Sequence, residues 1–475
     1  MTAHPPAPAL PTAALTPAEA TAIHRGLRRG FASGHWRHRS ARRAALRRLR
    51  AAIALHERDL VDALRADLGK PPFESYTSEI GFLYGDIDHA LSRLDAWMRV
   101  RKAGVGLALW PTTAEVHRPP KGVVLVVAPW NYPVNLAVAP LVAAVAAGCC
   151  VALKPAEDTP RAAAVIERIV AGAFDTSHVR VVQGPGAQVV PTLLAAGRFD
   201  HVFYTGSTRV GREIGAHCGR ELIPCTLELG GKSPAIVLDD AALGPTADRI
   251  AWGKCFNAGQ TCVAPDYLLV QAGVYDELLG LLERTLRAAF GSDPRTSPDL
   301  ARIVNDKHFA RLRGLIDTAT IAYGGQYDAS DRFLAPTLLT DVELDGPLMR
   351  EEIFGPLLPI LAFDTWEEAR DIVALHPDPL AAYVFTRSDA RAERFVEELR
   401  FGGGCVNDTV IHLGIPDLPF GGVGASGFGR YHGEAGYRTF TYEKSIARSS
   451  SRINLPVRYA PYREEFLRAV RWLMG

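Results

Sequence analysis

Charge of one sign is what this chain most lacks: 53 Lys and Arg stand against 52 Asp and Glu, a formal net charge of +1. That balance gives no whole-protein field toward nucleic acid or a membrane surface. Cysteine is scarce, with seven in 475 residues. An odd number spread this thinly argues against a disulfide framework and for a reducing compartment, the cytoplasm. There is no CxxC pair and no HExxH motif, so no metal site is expected. Arginine is dense from Arg25 to Arg50, but it alternates with Leu46, Leu49 and Ile53 at helical spacing, which reads as a solvated helix face rather than an RNA-binding arm. The first seventeen residues (MTAHPPAPALPTAALTP) lack both a basic n-region and a continuous apolar h-region, and read as a disordered lead-in. One apolar run, Val134 to Leu153, is long enough to span a bilayer. Pro140 and Gly148 interrupt it, so a buried helix to about Ala147 and a strand from Cys150 to Leu153 are expected instead.

What is present is a soluble globular composition, 48% hydrophobic and 22% charged, on a chain long enough for two large lobes. From Gly122 to Leu229 apolar runs alternate with helical patterns. Strands are expected at Val123–Val127, Val151–Leu153, Val179–Val182 and His201–Tyr204, with helices from Val134, Arg161, Ala187 and Val210. This implies a doubly wound parallel sheet, whose ligands bind beyond the carboxyl ends of the strands. A second α/β stretch runs from Ser233 to about Phe401, with helices near Ala247–Asn257, Tyr275–Phe290, Asp306–Ala319 and Ala390–Leu399. Its apolar runs are Leu268–Val270, Leu357–Phe363 and Ala381–Phe385. Gly402 to Gly433 reads as an ordered loop system, and Ala103–Pro119 as a partner of Tyr437–Ile446 in a small protruding sheet.

Four places carry candidate chemistry, and each also has a plainer explanation. Gly206-Ser-Thr-Arg-Val-Gly211 leaves a strand and opens a helix, which suits a phosphate but also any β-α turn. Lys154 and Glu157 end an apolar strand, where they could hold ribose hydroxyls or mark the point where the strand meets water. A carboxylate there would repel a 2'-phosphate and favour NAD. Cys262, in Asn257-Ala-Gly-Gln-Thr-Cys262-Val, sits on a Gly-containing turn, while Cys149, Cys150, Cys218, Cys225, Cys255 and Cys405 read as small buried hydrophobes. Glu228, between two leucines, must be paired or carry a raised pKa suited to a general base.

The succession PWNYP (Pro129 to Pro133), KPAE (Lys154 to Glu157), TGSTRVG (Thr205 to Gly211), LELGGKSP (Leu227 to Pro234), NAGQTCVAPDY (Asn257 to Tyr267), EEIFGPLLP (Glu351 to Pro359) and LPFGGVGASGFGRYHG (Leu418 to Gly433) resembles the aldehyde dehydrogenase superfamily over roughly residues 25 to 460. The opening FASGHWRHRSARRAALRRL and the GQTCVAPDY stretch point to the class 3 and coniferyl aldehyde dehydrogenase branch. The resemblance implies an α/β fold of two doubly wound parallel-sheet lobes with a small oligomerisation sheet. It implies an NAD(P)-binding domain (18–102 and 120–229), a catalytic domain (230–410), bridging segments (103–119 and 433–448) and a tail (449–475). By the same resemblance Cys262 is the nucleophile, Glu228 the general base and Asn131 the oxyanion amide. Trp130, Lys154, Glu157, Gly206, Ser207, Gly211, Glu352 and Phe354 line the cofactor site. NAD is the expected cofactor, with NADP accepted. A medium-chain aliphatic or aromatic aldehyde, coniferyl aldehyde among them, is the expected substrate, and a homodimer the expected assembly.

An acylating or acyl-reducing member of the superfamily is the nearest alternative, but such enzymes generally lack the deacylating glutamate that Glu228 represents. A non-catalytic protein retaining the fold is the alternative from another class, and the intact set of Cys262, Glu228 and Asn131 speaks against it. Tyr462 to Met474 reads as an amphipathic helix with Phe466, Val470 and Leu473 on one side. Fatty aldehyde dehydrogenases of the related branch carry a gating helix near this point, followed by a membrane anchor. The corresponding expectation here is a helix across the substrate funnel of its own subunit or of a partner, with no anchor beyond it.

Overall fold

The computed structural model describes residues 15–474. The β-α alternation forms a six-stranded sheet in the order 427–428, 225–228, 201–205, 123–127, 150–154, 179–181. All its pairings are parallel except that of Gly427–Phe428 with Cys225–Glu228. Val123–Val127 is buried at every position because successive side chains enter two different cores. Val124 and Val126 pack with Val138 and Leu141 of the helix Asn135–Ala147. Val123, Leu125 and Val127 pack with Ala20 and Leu27 of the helix Pro17–Ala32. A strand buried on both faces has no polar alternation to show, as its sequence does not.

The second lobe holds a seven-stranded sheet in the order 320–323, 337–340, 357–363, 267–271, 234–237, 381–385, 403–406. Only its edge strand Thr320–Tyr323 is antiparallel to its neighbour. A three-stranded antiparallel sheet joins Arg101–Ala103, Thr113–His117 and Lys444–Arg448. The chain crosses between the two large sheets directly after Glu228, and again between Gly403–Val406 and Gly427–Phe428.

Several expectations are corrected. The lead-in is shorter: Thr16 and Glu19 form a reciprocal capping box and the helix begins at Pro17. The remainder of that lead-in, residues 1–14, lies outside the described residues. Arg42 is not on a solvated face. It is 3% exposed, donates to Trp36 O and to Ala146 O at 3.0 Å, and so closes the carboxyl end of the Asn135–Ala147 helix where its dipole is negative. Tyr437 is helical, in Gly433–Thr439, and the strand that pairs with Thr113–His117 starts only at Lys444. Cys225 and Cys405 are partly exposed, unlike Cys149, Cys150, Cys218 and Cys255.

The Val134–Leu153 run divides into the helix Asn135–Ala147 and the strand Cys150–Lys154, separated by Gly148 at φ +92°. Among the described residues no helix is long and apolar enough to cross a membrane. The C-terminal helix Glu464–Met474 packs against the turn Leu107–Leu109. With Trp110, Ile453, Leu455, Phe466 and Val470 they enclose a cavity of about 930 Å³. None of its lining residues is shared with the cavity at Cys262, which gives no support to this helix lying across the funnel of its own subunit. The side chain of Leu473 lies outside the described residues.

Candidate active site

The helix Leu243–Cys255 ends in a turn in which Asn257 (φ +54°), Ala258 (φ +52°) and Gly259 (φ +72°) all take left-handed backbone. Two non-glycine residues in that region cost energy that the surrounding contacts must hold. The Asn257 side-chain amide donates to Asn131 O (2.8 Å) and Gln260 O (3.2 Å). Gln260 donates to Asn257 O (3.1 Å) and Arg302 O (3.0 Å), and accepts from Val304 N–H (3.0 Å). Glu74 accepts from Asn257 N–H at 2.9 Å, and burial pushes its carboxyl up to about 7. This turn presents Cys262.

Cys262 lines an apolar cavity of about 350 Å³ together with Tyr132, Phe256, Val410, Leu413, Phe420 and Tyr431. Burial raises its thiol pKa, and ionisation of Glu352 or Glu228 would raise it further, so the resting sulfur is protonated. Glu228 ends the strand Cys225–Glu228, is 2% exposed, and among the described residues has no hydrogen-bond donor on either carboxylate oxygen. Burial lifts its carboxyl well above the usual range, and Arg430 opposes this only in part. An uncharged acid is how a buried, unpartnered carboxyl avoids the cost of desolvation. Asn131, 3% exposed, donates from its side chain to Gln260 O (3.1 Å), which leaves one amide hydrogen uncommitted.

Beyond the strand ends of the first sheet the other predicted residues gather. Lys154 pairs with Glu157, which also accepts from Gly186 N–H at 2.7 Å. Burial pushes the Glu157 carboxyl up, but Lys154 and the Gly186 N–H outweigh that and hold it lowered, hence charged. Gly206 lies at φ +157°, and a Cβ there would sit 2.4 Å from Tyr204 Oη, so the turn requires glycine. Ser207 caps the helix Thr208–Arg220, and Gly211 in its first turn lies against Leu229, 2.5 Å from where its own Cβ would be. Glu352 accepts from Gly231 N–H and lies so close to Gly230 that a Cβ there would be 2.0 Å from its carboxylate. Burial raises the Glu352 pKa to about 8. Trp130 meets Phe354 edge-on at 5.3 Å.

The geometry adds residues that the sequence did not single out. Tyr132 Oη and Thr261 Oγ1 are 2.5 Å apart beside the Cys262 loop. Lys232 and Asp266 form a buried pair beneath the Glu352 loop. Lys70 and Glu79 form another beneath Asn131. Tyr132, Lys232, Thr261 and Asp266 lie within the motifs, but the contacts Tyr132–Thr261, Lys232–Asp266 and Lys70–Asn131 join positions apart in sequence, which no single motif signals. Among the described residues no group of three or more His, Cys, Asp or Glu could hold a metal ion.

Residues 9–446 match the model of the aldehyde dehydrogenase family. The chain belongs to that family. It is 44% identical over 429 residues to the 4,4'-diaponeurosporen-aldehyde dehydrogenase of Staphylococcus aureus, covering 90% of this chain and 93% of that protein. To human aldehyde dehydrogenase family 3 member B1 it is 42% identical over 446 residues, 94% of this chain and 95% of the relative. The substrate-bound state of Staphylococcus aureus AldH superposes with a TM-score of 0.93 at 41% identity, covering 96% of this chain and 99% of that one. The protein is thus an aldehyde dehydrogenase, an oxidoreductase with class 3 relatives.

Proposed function

We propose that the enzyme oxidises an apolar aldehyde, medium-chain aliphatic or aromatic, to its carboxylic acid through a thioester on Cys262, with NAD preferred over NADP. The observation that carries this reading is the placement of Cys262 in the wall of an apolar cavity, within electrostatic reach of an unpartnered, buried Glu228. In this reading Lys154 and Glu157 hold the adenosine ribose, and Gly206, Ser207 and Gly211 flank the pyrophosphate. Trp130, Glu352 and Phe354 bound the nicotinamide end. The close backbone turn at Gly206 and the exposed N-terminus of a capped helix fit such a group. Bound NAD⁺ would supply the acceptor for the hydride that leaves the substrate carbon.

The chain's own residues do the rest. Cys262 Sγ gives its proton to solvent as it forms a C–S bond to the aldehyde carbon, whose oxygen becomes an oxyanion. The free Asn131 amide hydrogen and the Cys262 backbone N–H stabilise that charge. Loss of hydride from the same carbon leaves the acyl thioester. Glu228, once ionised, takes a proton from water, the resulting hydroxide adds to the thioester, and as the C–S bond breaks Glu228 returns that proton to the sulfur, releasing acid and thiol. The charged Glu157 disfavours a 2'-phosphate, which supports NAD.

The three-stranded sheet and the exposed Leu107, Leu109 and Trp110 next to it support assembly as a homodimer, and seven free cysteines support a reducing, cytoplasmic setting. A panel of aldehydes assayed for kcat/KM with NAD and NADP in parallel tests the reading. It predicts the highest values for apolar aldehydes with NAD. Preference for charged aldehydes, or for NADP, would overturn the corresponding part.

A further inference from the structure

We infer that Lys70, in the connection after the helix Glu57–Leu68, and Glu79, which form a fully buried ion pair, are positioning residues that fix the oxyanion amide of Asn131 opposite the nucleophile loop. The inference rests on the reading of Asn131 as an oxyanion donor. Both side chains are completely buried and their charged atoms are 2.6 Å apart. Lys70 Nζ also donates to the backbone carbonyl of Asn131 at 3.3 Å and lies 4.2 Å from the centre of the Tyr132 ring. Glu79, in a π-helical turn (Tyr76–Ile80), accepts through its other oxygen from Val134 N–H and Asn135 N–H, each at 2.9 Å. Those N–H groups begin a helix that has no side-chain cap of its own.

The pair therefore grips the Asn131–Asn135 segment at both ends. Lys70 holds the carbonyl and ring at its start, and Glu79 holds the helix N-terminus at its finish. Across the cleft, Asn257 Nδ2 reaches the same Asn131 carbonyl at 2.8 Å, and Tyr132 meets Thr261, the residue before Cys262. A shift of this segment would move the amide relative to the sulfur. An apolar pair of similar volume would often fold as well or better than a buried ion pair. A demand on position accounts for charges that, besides capping the helix, also grip the Asn131 carbonyl.

The test uses Lys70→Met/Glu79→Gln, which removes both charges, keeps an acceptor for the helix N–H groups and deletes the donor to Asn131 O. The readout is the pre-steady-state rate of NADH formation in the full-length enzyme, with iodoacetamide alkylation of Cys262 and KM for NAD as controls. The rate should fall by roughly tenfold to a hundredfold, the scale of a misplacement of about 1 Å, with both controls unchanged. Asn131→Ala alone should lose about a hundredfold or more. Combining it with the double variant should add little further loss, because both act through one group. Lys70→Gln/Glu79→Gln restores a neutral donor and should recover part of the rate, and it stands in if the first variant does not fold. Multiplicative losses in the combined variant, or an unchanged rate in the double variant, would overturn the positioning role. No effect of Asn131→Ala would instead remove the reading beneath it.

Discussion

Lys232→Met is expected to destabilise the enzyme and to weaken its use of NAD together. Lys232 and Asp266 are 5% and 3% exposed, and their charged atoms are in direct contact. Lys232 Nζ also donates to Leu348 O (2.8 Å) and Glu351 O (3.1 Å). The other Asp266 oxygen accepts from Ile353 N–H at 2.9 Å. Arg311 adds a donor to Ile353 O, so the segment carrying Glu352 and Phe354 is tied down on both sides of Glu352.

Removing one member of a buried pair leaves its partner charged and unpaired, at a cost of about 3–5 kcal/mol. Against a typical total of about 5–15 kcal/mol, that is a large share. At roughly 2–4 °C per kcal/mol for lobes of this size, the melting temperature should fall by roughly 6–20 °C. The same loss of anchoring should raise KM for NAD while leaving KM for the aldehyde close to wild type, because the Cys262 cavity shares no residue with the 348–354 segment. Lys232→Met/Asp266→Asn leaves no buried charge unpaired, so it should recover most of the stability but not the NAD affinity. Differential scanning fluorimetry and steady-state kinetics measure both. A Lys232→Met enzyme with unchanged melting temperature and unchanged KM for NAD would refute the reasoning.

Other outcomes follow from the same geometry. The Glu228 carboxyl is lifted by burial, and a base must be ionised to accept a proton. Wild-type kcat should therefore rise with pH along a limb above the ordinary carboxylate range, and a limb within that range would contradict the assignment. Glu157→Ser should move the kcat/KM ratio toward NADP, and an unchanged ratio would place the residue away from the ribose. Leu413→Trp should narrow the cavity of about 350 Å³ and raise KM for long alkanals more than for acetaldehyde, whereas equal effects would move the substrate path elsewhere. Truncation after Pro461 should remove one wall of the apolar cavity beside Leu107–Leu109 and alter melting temperature or subunit association, with equal effects on long and short aldehydes. A selective change in KM for long aldehydes would return the helix to the funnel, through a partner subunit.

Elements were legible where burial leaves a simple pattern. Val123–Val127, Leu357–Phe363 and Ala381–Phe385 begin and end in the structure where their apolar runs do, because a central parallel strand admits only such residues. The helix Gly433–Thr439 was hidden by its glycines and by a reading of Tyr437 as strand. Cys262, Glu228 and Asn131 sit in compact motifs, whereas the Lys70 contact to Asn131 spans 61 positions of chain. Nothing near Lys70 distinguishes it from a surface lysine until the fold closes over it. Arg42 was misread for the same reason, since its acceptor at Ala146 lies 104 positions away. The amphipathic face of the C-terminal helix was visible in the sequence, but its partner at Leu107–Leu109 was not.

The central claim is that Cys262 carries the acyl group and Glu228 releases it, and stopped-flow NADH formation by Glu228→Gln tests both halves at once. Cys262→Ala should give no NADH, since no nucleophile remains. Glu228→Gln should give up to one equivalent of NADH per active site and then stall at the thioester, with the acyl mass retained on Cys262. Continued turnover of Glu228→Gln at the wild-type rate, without a stalled acyl-enzyme, would contradict the account.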